Sequence, residues 1–268
     1  MPEGDTVYVL ARRLDAALAG RTLTNGRLRV PQHATADLAG HTVLGHETHG
    51  KHLLTRFSDG LTLHTHLLMT GSWTVSQTGR WLPRTVMPDV RVVLRTDGPA
   101  AYGVKLPRVD LLHTRDEALA VGHLGPDPLR PDWDLDAAVR RMAADPTRPV
   151  VAVLLDQRCV AGFGNLWANE LCFLRGLGPW TPIAEVDVVA LLELGARALR
   201  HSATTPGAMQ VTTGSRRKGD QHWVAGRAGR PCLRCGTTVR VVAEVTNDPE
   251  RRRTWWCPAC QPGPPPAR

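Results

Sequence analysis

Apolar residues recur along the chain with two different periods. Over residues 6–19, Val7, Leu10, Leu14 and Leu18 fall at helical spacing, Gly20 follows as a stop, and Asp5 or Thr6 can cap the start. That pattern predicts an amphipathic helix. From Arg21 to about Leu112 the period shortens. Runs such as TLTNGRLRV, HTVLGHE, KHLLTRF, LTLHTHLL, GSWTVS, VRVVLRT and PAAYGV are separated by Gly, Asn and Asp, which predicts an antiparallel sandwich or barrel. Residues 122–134, GHLGPDPLRPDWD, carry three Pro and two Gly and read as a linker. Helical spacing returns over residues 135–144, 150–155, 166–174 and 185–202 and is then lost. The expected class is α+β. A helix plus β-domain (1–121) precedes the linker (122–134), a helical domain (135–222), a cysteine module (223–262) and a disordered, Pro-rich tail (263–268). No internal repeat is visible.

Composition narrows the partners. A length of 268 residues favours two domains, and 42% hydrophobic with 22% charged residues fits a globular chain rather than a disordered one. Lys and Arg number 33 against 25 Asp and Glu, a net charge of +8. Such an excess points to a polyanion, either nucleic acid or an anionic membrane surface. No apolar run approaches the roughly 20 residues of a spanning helix. The start, MPEGDTV, is acidic where a signal peptide is basic and then apolar. A cytoplasmic protein is expected, with no membrane partner, and its six Cys read as metal ligands or buried thiols rather than disulfides. Residues 213–253 hold ten Lys and Arg against four acids, six of the eight net positive charges. Taken alone, that run also fits a solvated basic loop.

Three constellations carry chemistry. Cys232-x2-Cys235 and Cys257-x2-Cys260 place four thiolates on two knuckles, the donor set of a tetrahedral, structural zinc ion. The 21 intervening residues slightly exceed the usual spacing, and a disulfide or free thiols are the alternatives. TTVRVVAEV and RRRTWWC are expected to form the two strands of a hairpin. Cys159 and Cys172, in the helical part, read as core thiols. The second constellation is DQRCVAGFGNLWANE (156–170). Gly162 and Gly164 frame a turn and Asn165 opens a helix, whose N-terminal amides can attract a phosphate; an ordinary helix–turn–helix corner with an Asn cap fits equally. The third is the amino end. Removal of Met1 ahead of Pro2 would free a secondary amine with a pKa of about 8, able to attack an aldehyde-like carbon, with Glu3 beside it as acid or base. Met-Pro openings are also common without any such role. His64 and His66 share one strand face and read as structural.

MPEGDTV at the start, HGKHLLTRF (49–57), THLLMTGSW (65–73), LLDQRCVAGFGNLWANELCF (154–173) and the paired CxxC motifs ending WWCPACQ occur in that order. Together they resemble the formamidopyrimidine-DNA glycosylase/endonuclease VIII family of base-excision repair enzymes, over nearly the whole chain. MPEG rather than MPEL is similar to the endonuclease VIII branch, and MPEGDT to its actinobacterial type. The resemblance implies a β-sandwich with a leading helix, a helix-two-turns-helix domain over 135–222, and a zinc finger over 223–262, with DNA between the two halves.

The resemblance also implies roles. Pro2 attacks C1′ of the damaged nucleotide and Glu3 handles protons at the sugar. Lys51 sits near the lesion phosphate. Asn165 and Arg252 grip flanking phosphates, with Gly164 in the same turn. Glu170 lies near the floor of the site, and Met69 fills the hole left by a flipped base. The count back from Cys257 favours Arg252, but a strand slip would substitute Arg251 or Arg253. Residues 207–223 occupy the place of a loop that can cover a flipped base in some relatives. The implied activity is a bifunctional glycosylase and abasic-site lyase for oxidised bases, preferably pyrimidines, cleaving by β,δ-elimination. Its partner would be double-stranded DNA holding a damaged base or abasic site, its state a monomer, its one cofactor structural Zn2+. Alternatives are an 8-oxoguanine specialist, a damaged-DNA binder with little glycosylase activity, and a zinc-dependent DNA-binding regulator. Leu68 and Thr70 depart from the residues that flank Met69 in many relatives, which leaves opposite-base preference open.

Overall fold

The computed structural model describes residues 2–242 and 252–264. The chain folds as two compact units. One comprises Met1–Pro2 and Thr6–His123, the other Glu3–Asp5 and Leu124–Arg268.

In the first unit, α1 (Gly4–Leu18) leads into eight strands: β1 (Asn25–Leu28), β2 (Val43–His49), β3 (His52–Phe57), β4 (Leu61–His66), β5 (Ser72–Ser76), β6 (Val90–Arg95), β7 (Ala100–Val104) and β8 (Arg108–His113). They form two antiparallel sheets of order β1-β6-β7-β5 and β2-β3-β4-β8. Inward residues of both sheets, among them Leu28, Val92, Leu94, Leu53, Phe57 and Leu63, share one core with Val7, Ala11, Leu14 and Leu18 of α1. That is the alternation of a sandwich whose helix supplies a third apolar stripe. β3 and β4 are buried on both faces, because a second layer of side chains covers the side away from the core. A short helix, α2 (Glu117–Val121), closes the unit and was not expected from the pattern. Glu117 holds Arg56 of β3 bidentately at 2.8 Å.

The second unit is helical: α3 (Leu135–Met142), α4 (Val150–Leu155), α5 (Asn165–Leu174) and α6 (Val188–Thr204). Asp134 and Asp187 cap α3 and α6 by accepting from Ala137 and Ala190 amides at 2.8 and 3.0 Å. Met142, Val150, Leu154, Phe163, Trp167, Leu171 and Leu192 form its core. The stretch expected to be a linker does not hang free. Leu124, Gly125, Asp127 and Pro128 are buried, and Gly125 and Ala161 amides donate across to Gln157 and Pro126 carbonyls at 2.8 and 2.9 Å. Its Pro and Gly residues shape a packed turn. The unit ends in a two-stranded antiparallel hairpin, β9 (Arg240–Val242) with β10 (Thr254–Trp256). Residues 243–251, including Arg251, and 265–268 of the Pro-rich tail lie outside the described residues. Among the described residues, no helix is long and apolar enough to cross a membrane.

Candidate active site

Glu3 is fully buried, and its carboxylate lies across the N-terminus of α5. Oε2 accepts from the Gly164 amide at 2.8 Å and the Trp167 amide at 3.3 Å; Oε1 accepts from the Leu166 amide at 2.8 Å. The helix leaves its first amides without intrahelical acceptors, and its dipole favours a negative group there. The AGFGN turn is open to two readings, a phosphate cradle or an ordinary corner, and the structure shows the Gly164, Leu166 and Trp167 amides taken by Glu3 of the same chain. It also explains both glycines. A Cβ on Gly164 would lie 2.5 Å from the Glu3 Cδ and 2.7 Å from Oε1. Gly162 takes φ +102°, and its carbonyl accepts from the Gly4 amide at 2.9 Å, so close that a Cβ on Gly4 would meet the Gly162 Cα at 2.9 Å.

Asp5, also fully buried, makes the second attachment of the amino end. Its Oδ2 accepts from Trp167 Nε1 at 3.0 Å and Ser202 Oγ at 2.6 Å, and its Oδ1 from Gln210 Nε2 at 3.4 Å. Ser202 Oγ in turn accepts the Gln210 amide at 2.8 Å. Sequence reasoning missed this residue beyond its helix-capping potential. An acid two positions after Glu3 was the only signal, and its partners are about 160 to 205 residues away in sequence.

Asn165 is the first residue of α5, with Gly164 at the cap position. Its side-chain amide donates to the Arg253 carbonyl at 2.9 Å, and Asn169 Oδ1 accepts from the Trp255 amide at 2.7 Å. The start of α5 is thus tied to the residue that follows Arg252. Glu170, one turn further, is fully buried and faces elsewhere. Its carboxylate accepts from the Trp223, Val224 and Ala225 amides, each at 2.8 Å, and from the Thr212 hydroxyl. That pins both ends of the 212–223 stretch, which also closes on itself through the Thr212 amide and Gln221 carbonyl at 2.9 Å.

Lys51 and Met69 belong to the first unit, each on a turn between strands. Gly50 (φ +58°) and Lys51 form the two-residue turn between β2 and β3, the Gly-X pattern of a type II′ turn. Met69 stands on the turn between β4 and β5 and is 68% exposed. Leu68 beside it takes φ +45°, a strained value for a branched side chain, and its amide donates to His66 Nδ1 at 3.0 Å. His66 pairs across the ladder with His52, next to Lys51.

His52 belongs to a cluster the pattern did not reveal. Asp110 accepts from His64 Nδ1 at 3.2 Å, so His64 Nε2 is the acceptor for His52 Nδ1 at 2.8 Å. His66 and His123 meet the His52 ring edge-on at 4.7 and 6.1 Å between centroids. Burial pushes His52 down to about 2, with His66 and His64 adding to the effect. Burial, reinforced by the charge of Lys51, holds His66 at about 4. Burial lowers His64 as well, against the opposing pull of Asp110. His52, His64 and His66 are therefore neutral at pH 7. His64 and His66 keep structural partners, and His66 additionally braces the Met69 turn.

Cys232, Cys235, Cys257 and Cys260 bring their sulphurs within 4.8 Å of one another, and could hold a metal ion. The Cys232–Cys260 and Cys235–Cys257 separations are 4.0 and 3.5 Å. Thiolates sharing one ion tetrahedrally at about 2.3 Å lie about 3.8 Å apart, whereas a disulfide needs about 2.05 Å. Cys159 and Cys172 are buried in the core of the helical unit; burial raises both, Cys172 to about 12.

The N-terminal domain model of formamidopyrimidine-DNA glycosylase matches residues 1–111, and the H2TH domain model of the same enzyme matches residues 124–198. The probable endonuclease 8 2 of Streptomyces coelicolor is 50% identical over 268 residues, covering 99% of this chain and 96% of the relative. The chain belongs to the formamidopyrimidine-DNA glycosylase/endonuclease VIII family. Within it, the chain sits on the endonuclease VIII branch. A second relative, the DNA-(apurinic or apyrimidinic site) lyase Nei2 of Mycolicibacterium smegmatis, is 41% identical over 262 residues, 97% of this chain and 99% of the relative. The crystal structure of the MutM (Fpg) protein of Thermus thermophilus superposes with a TM-score of 0.77 at 28% identity, over 98% of this chain and all of that one.

Two outcomes follow from the geometry. Gly164→Ala must expel the Glu3 carboxylate from amides it leaves buried, so denaturation should show the second unit weakened by about 2–4 kcal/mol; an unchanged transition would contradict the clamp. The neutral histidines bind fewer protons folded than unfolded, where each titrates near 6.5. Their contribution is complete above about 6.5 and declines as pH falls toward the folded values, so stability should rise with pH between about 4 and 6.5. The melting temperature of a His52→Leu/His64→Leu variant should fall less on acidification from pH 7 to 4.5 than that of the parent; parallel curves would refute the assignment.

Proposed function

We propose that the chain is a bifunctional DNA glycosylase and abasic-site lyase acting on oxidised bases, preferably pyrimidines, with Pro2 as nucleophile. The observation that carries this reading is the Glu3 clamp. It fixes the residue next to Pro2 by three backbone hydrogen bonds, in a chain whose relatives are named as endonucleases and an abasic-site lyase.

With Met1 removed, the Pro2 nitrogen attacks C1′ of a flipped-out nucleotide as the glycosidic bond breaks and the base leaves with a proton. Opening of the sugar gives an iminium ion, which acidifies C2′. Loss of a C2′ proton expels the 3′ phosphate, and a second elimination expels the 5′ phosphate. Glu3 Oε1 accepts the Leu166 amide, and the carboxylate handles protons at the sugar as acid or base. Lys51, at its hairpin tip, supplies positive charge to the lesion phosphate. Arg252, next to the carbonyl that Asn165 holds, grips a flanking phosphate, and Asn165 supports it. Met69 is the apolar wedge, exposed and braced by His66 through Leu68. Glu170 serves by anchoring the 212–225 stretch, and Gly164 by admitting Glu3.

The cysteine cluster is proposed to hold one structural Zn2+, since four thiolates with tetrahedral spacing leave no position open. That ion supplies rigidity to the β9–β10 hairpin. The partner is duplex DNA with a damaged base or abasic site, met by a cytoplasmic monomer.

Duplexes carrying an oxidised pyrimidine, 8-oxoguanine or an abasic site, incubated with purified protein, test this reading. Expected are strand breaks with phosphate at both ends, fastest on the abasic and pyrimidine duplexes. Pro2→Gly should reduce pyrimidine release at least 100-fold while leaving DNA affinity nearly intact. Cleavage of the abasic duplex alone would reduce the activity to a lyase. Equal turnover by Pro2→Gly would overturn the nucleophile.

A further inference from the structure

The outer face of the β1-β6-β7-β5 sheet carries chemistry that the proposed reaction does not use. Its inner face gives Leu28, Val92 and Leu94 to the core. Pairing of Arg27 with Val93 and of Asn25 with Arg95 puts both arginines on the opposite face. There Val93 and Tyr102 pack with Leu82 and Met87, so the 77–89 connection is laid over the sheet. It raises Trp81 into solvent, 64% exposed. The Arg95 guanidinium sits 3.6 Å from the centre of the Trp81 ring, capping one side of the indole. With 64% of the residue exposed, the indole offers surface beyond the capped side.

The charge around this indole is unbalanced. Arg80 and Arg84 flank it in the sequence of the connection, and Arg29, just after β1, and Arg91 of β6 reach the same connection. Arg29 and Arg91 donate to the Met87 and Pro88 carbonyls at 2.6 and 2.8 Å. Among the described residues, none of Arg29, Arg80, Arg84, Arg91 and Arg95 forms an ion pair with a carboxylate. The nearby acids are engaged elsewhere: Asp37 with Arg27 at 2.9 Å, Asp97 with Arg21 at 3.7 Å and Asp89 with Lys105 at 3.2 Å. An open groove of about 560 Å³ runs between Arg27, Arg29 and Met87.

Five arginines without acid partners call for phosphates. An open indole face calls for a planar, unstacked ring. A duplex offers the first and hides the second, because its bases stack on one another. An acidic peptide could satisfy the arginines and leave the indole in water. Unpaired nucleotides satisfy both: aromatic platforms stack bases without reading sequence while a basic groove follows the backbone. We propose that this sheet face binds an unpaired DNA strand, with Trp81 stacking a base and the surrounding arginines holding phosphates. The inference rests on the repair reading for the identity of the polyanion. It gives the protein a hold on frayed, gapped or bubble-containing DNA that is separate from lesion chemistry.

The test uses the full, metal-replete chain and two DNA probes. One is a labelled, lesion-free oligo(dT) followed by anisotropy; the other is a blunt duplex with a lesion, followed by turnover. Trp81→Ala should weaken oligo(dT) binding at least five-fold, the effect of losing about 1 kcal/mol or more of stacking. Arg80→Gln/Arg84→Gln should flatten the logarithmic salt dependence by about 1.4, some 0.7 per lost phosphate contact on a single strand. Turnover of the blunt duplex at saturation should stay within two-fold for both variants. Unchanged oligo(dT) affinity in Trp81→Ala would overturn the proposal. So would stoichiometric displacement of oligo(dT) by a blunt abasic-analogue duplex, which would put the strand at the lesion site. Displacement by polyglutamate as effectively as by oligo(dT) of equal charge would reduce the face to an unspecific basic surface and overturn it too. Failure of the repair reading looks different: no lesion duplex is turned over by the parent protein, whatever happens to oligo(dT).

Discussion

One carboxylate determines how the chain begins. Glu3 satisfies three amides at the start of α5, and no water or ligand could do so more cheaply, since the group is fully buried and its charge lies at the positive end of a helix. A buried charge requires such partners. The demand propagates: Gly164 must lack a Cβ, Gly162 must take positive φ, and Gly4 must lie against it. Asp5 adds its attachment to Trp167 and Ser202. An amino terminus is ordinarily the most mobile part of a chain. Here positions 3 to 5 are built into the second unit, and Pro2 is left one peptide bond from a fixed point. In its proposed role as nucleophile, Pro2 gains from such fixation, because orientation lost before reaction need not be lost during it.

The first unit uses a different device. Lys51 stands on the β2–β3 turn and Met69 on the turn that leaves β4 for β5, and His52, His64 and His66 between those turns are neutral by burial. Neutrality lets His66 accept the Leu68 amide and hold a left-handed turn on a branched residue. It also keeps further positive charge from accumulating beside Lys51. Chains of imidazoles with an Asp110 end-group fix each tautomer, so the geometry of two exposed tips rests on a polar layer beneath them.

Much of this was legible in the sequence because it is periodic or local. The α1 stripe, the alternating strands and the two CxxC knuckles each declare themselves within a few residues, and the ordered motifs pointed to the family. What was hidden depends on contacts distant in sequence. The glycines of AGFGN suggested close approach by a ligand, whereas the approaching group is Glu3, about 160 residues earlier. Pro and Gly over 122–134 suggested a linker, but Pro also shapes packed turns, and here the Gln157 carbonyl, the Ala161 amide and Arg200 of α6 hold its backbone. His52 looked like one polar residue in a strand, since nothing local shows that its partner will be His64 rather than water. Glu170 read as part of a site floor, while its carboxylate serves amides that only the fold brings to it.

The central claim is that a clamped amino-terminal proline does the chemistry. Borohydride reduction during turnover on an oxidised-pyrimidine duplex, followed by peptide mass spectrometry of the crosslinked protein, tests it most directly. The account predicts a single DNA adduct on the peptide that begins at Pro2, with yield falling sharply in Gly164→Ala, where Glu3 is displaced. An adduct on Lys51 or another lysine, or none from protein whose Pro2 is shown to be free, would contradict it.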